Sequence, residues 1–284
     1  MNTIHTTAVI GKNVQLGEGN EIGPGCVIAD GAVIGSRNKF WMNVYVGTGT
    51  TIGDENQIHP GAILGHEPQD HAFDGSASFT TIGDRNIIRE YVTIHRGTKL
   101  GTTTSLGSDN FLMANAHIAH NCQVGSKTTF VNLATIGGYC VVEDGAVLSG
   151  MIVAHQFTRV GRLAMISGLS ALNKDVPPFM SCGGRPGVIQ GINAVGLRRA
   201  GIAVPVRENI RHAYKLLYRE GLKVSHAIAE IKKLPQSSEL ESLVSFVESS
   251  KRGICAGSAG EGAEEEVESL LPRKVIYPDK RLFI

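Results

Sequence analysis

The sequence predicts an all-β parallel β-helix built of hexapeptide repeats, followed by a small α-helical domain. Three observations carry this reading. Stepping in sixes from Ile4 to Leu172, 27 of 29 positions are apolar. The next residue is glycine 13 times, as at Gly11, Gly17, Gly53, Gly107 and Gly161. After Pro177 and Pro178 the period stops and apolar residues take up helical spacing. A helix repeats every 3.6 residues and a strand every two, so neither produces a six-residue period. Hexapeptide β-helices do.

Each hexad is read as a short strand and a turn, three hexads closing one triangular coil. The sixth-position residue points into the prism and stacks on its counterpart one coil away. Burying each large one contributes roughly 1.5–3 kcal/mol, offsetting chain ordering of similar total size. Coils are expected about 4.8 Å apart, the ordinary inter-strand spacing. The two polar positions in the series, Asp70 and Ser76, are adjacent in it. They fall in the polar stretch 66–80 (HEPQDHAFDGSASFT), which predicts an excursion loop. A second irregular patch is expected at 97–105. The β-helix therefore spans 1–178.

Residues 179–253 form a connecting segment and a helical domain. The stretch 179–201 is glycine-rich and irregular. Ile210, Ala213, Tyr214, Leu217 and Tyr218 then share a helix face, with Gly221 as the stop. Further helices are expected near 225–234, with Ser225 as cap, and 238–251, ending at Gly253. The tail 254–284 is small and acidic at its start and reads as a flexible segment.

Composition bounds the function. A net charge of +1 on 284 residues implies no polyelectrolyte partner, so no nucleic acid is expected. The five cysteines are scattered, without a CxxC pair, which argues against a zinc ribbon or disulfide framework and fits a reducing cytoplasm. Neither a signal peptide nor a membrane-spanning run is visible. No cofactor or metal is expected.

Repeat geometry converts offsets into neighbours. His120, Gly138 and Gln156 fall in one column at successive coils, with His117 and His155 beside them. Histidine is the natural base near neutral pH. A backbone N–H can hold a developing oxyanion, and glycine permits close approach. This is equipment for acyl transfer, although polar turn residues on a β-helix are more often simply solvated.

The segments Ile94-His95-Arg96-Gly97, Asn115-Ala116-His117-Ile118-Ala119-His120, Ala154-His155-Gln156-Phe157, Asp175-Val176-Pro177-Pro178 and Ala213-Tyr214-Lys215-Leu216-Leu217-Tyr218-Arg219 carry a resemblance. The chain resembles the UDP-N-acetylglucosamine O-acyltransferases, which begin lipid A synthesis, over about residues 1–253. The resemblance implies a left-handed coil, a homotrimer, and transfer of a 3-hydroxyacyl chain from acyl carrier protein to the sugar 3-hydroxyl. It implies His120 as general base and Gly138 as backbone oxyanion donor. His117, His155 and Gln156 would line the donor and nucleotide-sugar groove. Gln69 and Asp70 would contact substrate from the excursion loop, and Arg199 would meet donor or nucleotide phosphates. Gly168 sits where the family sets acyl length, and a small residue there implies room for a long chain. Basic residues of the C-terminal helices, Arg198, Arg199, Arg207, Arg211, Lys215 and Arg219, are a candidate surface for the acidic carrier protein.

The sequence departs from the family pattern at three positions and in its tail, since the stretch beyond Gly253 is extra. Asn121 follows the base where relatives usually have aspartate, Tyr139 stands where many have histidine, and Ala72 replaces a basic loop residue. The residues leave other readings open: an N-acyltransferase on a UDP-3-amino sugar, or a non-catalytic hexapeptide scaffold. A zinc carbonic anhydrase on the same fold needs three converging ligands, and His95 falls in a different column from His117 and His120.

Overall fold

The computed structural model describes residues 1–258. Strands of two to five residues stack into three sheets of 11, 9 and 8 strands, which form the three faces of a prism. The first face begins with Thr3–Ile4, the second with Val9–Ile10 and the third with Gln15–Leu16. Successive coils pair parallel and in register, as in Gln123 with Val141 and Val124 with Val142. The sixth-position residues fill the axis: Ile28, Val46, Ile58, Leu64, Ile94, Ile118 and Ile136 are each fully buried. At the open first coil, Ile4 is 42% exposed because nothing packs above it.

A second internal position lies two residues before each of these. Along one corner it holds an asparagine ladder that the apolar period does not reveal. The N–H groups of Asn38, Asn56, Asn86 and Asn110 each donate to the side-chain oxygen of the asparagine one coil earlier, at 2.8–2.9 Å. Buried polar groups are thereby satisfied in the direction of stacking.

Two insertions interrupt the coil. Most coils repeat at 18 residues, as in Ser36 and Asp54, but Asp54 pairs with Asp84 at 30 and Asp84 with Ser108 at 24. The insertions are thus 12 and 6 residues, whole multiples of the hexad. The period stays in phase across both, so Leu100, counted as a core position, is in fact 75% exposed on the second loop. That loop is also shorter than expected, because Thr103–Leu106 is regular strand.

Beyond the prism the expected irregular stretch contains an antiparallel hairpin, with a register shift between Ser181 and Cys182. Met180–Gly183 and Val188–Ile192 pair antiparallel and extend the first face. Among the described residues four helices follow: α1 (Ala194–Arg199), α2 (Val204–Tyr218), α3 (Val224–Ile231) and α4 (Ser238–Glu248). Ile210, Ala213, Tyr214 and Leu217 are buried on α2, and Ala227, Ile228 and Ile231 on α3. The cap of α3 is Lys223 without a side-chain bond, not Ser225, which lies inside the first turn. Ser237 caps α4 through the Leu240 N–H. Asp175, 1% exposed, joins the two parts by accepting the Arg159 N–H at 2.9 Å and the Ser250 hydroxyl at 2.7 Å.

The start of the expected flexible tail is packed. Ile254 bridges to Asp175 and Gly257 to Ile189, with Cys255 1% exposed. Backbone hydrogen bonds join Cys255 to Asp175 and both Ala256 and Ser258 to Ile189, and the Cys255 thiol adds one to the Lys174 carbonyl. The remainder of the tail lies outside the described residues.

Candidate active site

His120 occupies the corner between the second and third faces, after strand His117–Ile118 and before Gln123–Val124. Both insertions open at this corner. The first leaves the second face at Ile63–His66 and returns on the third at Phe79–Ile82. The second leaves at Thr93–His95 and returns at Thr103–Leu106. Loop residues are therefore delivered to the one corner that carries the buried imidazole, 4% exposed.

The His120 ring is held at Nδ1 and faced by a carboxylate at Nε2. Nδ1 lies 3.0 Å from Oδ1 of Asn121, and that oxygen also accepts the Thr98 backbone N–H at 3.1 Å. A backbone N–H only donates, so the amide must face it with oxygen; the assignment of amide and tautomer follows from this bond. In the neutral ring this places the hydrogen of His120 on Nδ1 and leaves Nε2 as the lone-pair nitrogen. Facing Nε2 at 3.6 Å is Oδ2 of Asp70. Asp70 Oδ1 accepts the Ala72 N–H at 3.0 Å, and Oδ2 accepts the Thr98 hydroxyl at 3.1 Å. The Ala72 N–H is the main reason its carboxyl stays below the usual range, helped by the Thr98 hydroxyl.

Gly138 abuts the same ring, since a methyl group added to it would fall 2.6 Å from Nε2. Among the described residues, no acceptor takes the Gly138 N–H. Tyr139 meets the ring edge-on at 5.3 Å and stacks on Phe157 at 4.8 Å. Asn121, Tyr139 and Phe157 form one column at φ 60°, 61° and 63°. Asparagine tolerates this left-handed region, whereas the two aromatics are strained there by roughly 1–2 kcal/mol each.

Further along the second face, Nδ1 of His117 meets Oγ1 of Thr93 at 2.6 Å, and its ring lies edge-on to His95 at 4.9 Å. Burial lowers the pKa of both. His95 falls to about 4, with His117, His66 and His120 adding to the burial effect, and His117 falls through burial and then His120. Both imidazoles are thus neutral near pH 7 and suited to hydrogen bonding.

Of the other residues expected at the site, Gln69 is exposed on the excursion loop. His155 and Gln156 are exposed one coil below Gly138, where Gln156 Cγ would touch a methyl on Gly137 at 3.2 Å. Arg199 is exposed at the end of α1, and no contact among the described residues joins it to His120. Gly168 borders open space: a methyl there would meet only the Gly150 oxygen, at 3.4 Å.

Sequence reasoning missed His95, Arg96 and Thr98 as members of this cluster. Arg96 is 8% exposed, pairs with Glu67 at 3.4 Å and lies over the Phe73 ring at 5.3 Å, pinning the excursion loop. The signal was the segment Ile94-His95-Arg96-Gly97 standing at the mouth of an insertion. Only the altered register, Thr93 beside His117, brings it to the site.

The chain has relatives of known kind. Residues 175–255 match the family described as Udp N-acetylglucosamine O-acyltransferase, domain 2, and residues 31–66 match the bacterial transferase hexapeptide family. It is 42% identical to the acyl-[acyl-carrier-protein]–UDP-N-acetylglucosamine O-acyltransferase of Thermodesulfovibrio yellowstonii, over 90% of this chain and 100% of that one. The enzyme of the same name from a Janthinobacterium species is also 42% identical, over 89% of this chain and 99% of that one. Among solved structures, the UDP-N-acetylglucosamine acyltransferase of Francisella novicida superposes with a TM-score of 0.86 at 35% identity, covering 93% of this chain and 96% of that one. The one from Campylobacter jejuni gives 0.86 at 33% identity, covering 90% and 100%.

Proposed function

Because the chain belongs to the UDP-N-acetylglucosamine O-acyltransferase family, we propose that His120, Gly138 and the excursion loops perform its acyl transfer at the corner described above. The fold is the left-handed hexapeptide β-helix with a small helical domain. The chain is an acyltransferase that moves an acyl group from acyl carrier protein to UDP-N-acetylglucosamine in lipid A synthesis.

In the proposed mechanism the sugar 3-hydroxyl attacks the carbonyl carbon of a 3-hydroxyacyl thioester while Nε2 of His120 takes its proton. The carbonyl oxygen becomes an oxyanion beside the uncommitted N–H of Gly138. Collapse breaks the C–S bond, and the imidazolium returns the proton to the departing carrier thiolate. Atoms balance without a metal or cofactor step. The observation that carries this reading is the Asn121 oxygen 3.0 Å from Nδ1, oriented by the Thr98 N–H, which leaves Nε2 of the neutral ring as a lone-pair base.

The reading includes substrate contacts from Gln69, Asp70, His117, His155, Gln156 and Arg199, with acyl length set beside Gly168. It also includes a homotrimer. One feature supports it: the exposed apolar corner of Leu133, Met151 and Leu169, all at positive φ. A cytoplasmic setting accords with five free, buried cysteines, and no described helix is long and apolar enough to cross a membrane.

The test is direct. Purified protein with 3-hydroxyacyl carrier protein and UDP-N-acetylglucosamine yields the 3-O-acyl sugar, and His120→Ala lowers the rate by about 10²- to 10⁴-fold. A folded His120→Ala variant turning over at the wild-type rate overturns the base assignment. Acylation of only the 3-amino analogue makes the chain an N-acyltransferase with the same mechanism.

A further inference from the structure

One buried residue contacts both groups that flank the His120 ring. Thr98, 1% exposed, lies on the six-residue insertion. Its backbone N–H donates to Asn121 Oδ1 at 3.1 Å, and its hydroxyl donates to Asp70 Oδ2 at 3.1 Å. We propose that Thr98 is the positioning residue of the acyl transfer, fixing at once the Asn121 amide that sets the His120 tautomer and the Asp70 carboxylate that faces the basic nitrogen. This inference rests on His120 being the base.

The amide needs fixing because it has two faces of nearly equal shape. With oxygen toward the ring, Nδ1 keeps its hydrogen and Nε2 is free to accept a proton. With NH2 toward the ring, Nδ1 must accept and Nε2 carries the hydrogen, which removes the base. The Thr98 N–H decides between the two. It is buried, and a flip would leave it facing another donor and unsatisfied. A carboxylate at this position has acceptors on both sides and would need no such choice.

The carboxylate needs fixing for a different reason. Asp70 sits on the longer insertion, and its side chain is 26% exposed. The Ala72 N–H takes one oxygen and the Thr98 hydroxyl the other, so the plane of the group is set with Oδ2 toward Nε2. The loop that carries Thr98 is itself tight. The Thr102 hydroxyl donates to the Lys99 carbonyl at 2.6 Å and accepts the Lys99 N–H at 3.1 Å, and a methyl on Gly97 would lie 2.5 Å from the Thr102 carbonyl oxygen. The shorter insertion thus acts as a rigid strut between the base and the longer one.

Thr98→Val keeps the shape and the N–H and removes the hydroxyl. It is expected to lower kcat about tenfold or more while KM for both substrates stays within about twofold. Thr98→Ser, which restores the hydroxyl, should recover activity to within about threefold of wild type. The amide arm is read without activity, by ring nitrogen NMR on histidine-labelled protein, with the His120 signals identified by their loss in His120→Ala. Wild type should show Nδ1–H, Asn121→Asp should keep it, and Asn121→Ala should shift towards Nε2–H. An Nε2–H tautomer in wild type overturns the inference, as does wild-type kcat in Thr98→Val. If His120→Ala abolishes transfer while Thr98→Val is unchanged, this inference alone fails. If His120→Ala remains active, the base assignment fails first.

Discussion

Asp70 comes from an irregular loop and His120 from a regular coil, yet Oδ2 of one lies 3.6 Å from Nε2 of the other. That distance is too long for a direct hydrogen bond and leaves the lone pair of Nε2 uncommitted. A substrate hydroxyl approaching beside the pair can donate to Nε2, and the carboxylate charge stabilises the imidazolium that then forms. Removing the carboxylate charge should therefore impair catalysis more than folding.

Asp70→Asn is expected to lower kcat by about tenfold to a hundredfold with little change in melting temperature. The sign of its pH effect follows from its depressed carboxyl. The ionised form is favoured in the folded protein, so its contribution to stability is present above the unfolded pKa and fades as pH falls through the lower, folded value. Steady-state kinetics of the variant, and thermal unfolding of both proteins at neutral pH and below the ordinary carboxyl pKa of 3.8, check both statements.

Gly138→Ala should displace the catalytic ring, because the new methyl would stand 2.6 Å from Nε2 and 3.0 Å from Nδ1. The prism core beneath is unaffected, so the circular dichroism spectrum should match wild type. A kcat loss of about a hundredfold or more is expected from a misplaced base and oxyanion donor. Retained activity would mean that the ring has room to move and the glycine is not required.

His95 predicts a stability profile. Its folded pKa is about 4 against an ordinary 6.5, because it is buried beside other imidazoles. Between these values the unfolded chain binds a proton that the folded one does not. Stability therefore falls as pH drops from about 6.5 towards 4, by on the order of 3 kcal/mol from this group. His95→Gln should flatten that decline, measured as urea midpoints across the pH range. An unchanged slope would show that His117, whose pKa is also lowered by burial, governs the effect instead.

Gly168→Met should fold normally, since the position borders open space with only the Gly150 oxygen in reach. If the acyl chain runs past this point, the added side chain shortens the groove. Competition between acyl carrier proteins of several chain lengths should then shift towards shorter donors. Unaltered selectivity would place the chain elsewhere.

Much of the site was legible because a coil converts sequence offset into position. The His120, Gly138 and Gln156 column follows from the 18-residue repeat, and the register of Gln123 with Val141 beside it confirms the same step. The same regularity misled at Leu100, since an insertion of one hexad leaves the phase intact while carrying its apolar residue into solvent. The asparagine ladder was invisible to an apolar count because it satisfies buried polar groups by stacking like on like.

The repeat alone determined the prism, its three faces and the corner on which the imidazole stands, because parallel strands stacked at a constant interval have only one register that buries every sixth side chain. Tertiary structure alone decided how that imidazole is equipped. Asp70, Thr98 and Arg96 lie on segments without a period, and their positions are set by two loops whose ends are pinned to the same edge. Which nitrogen of His120 holds its hydrogen depends in turn on a backbone donor from one of those loops.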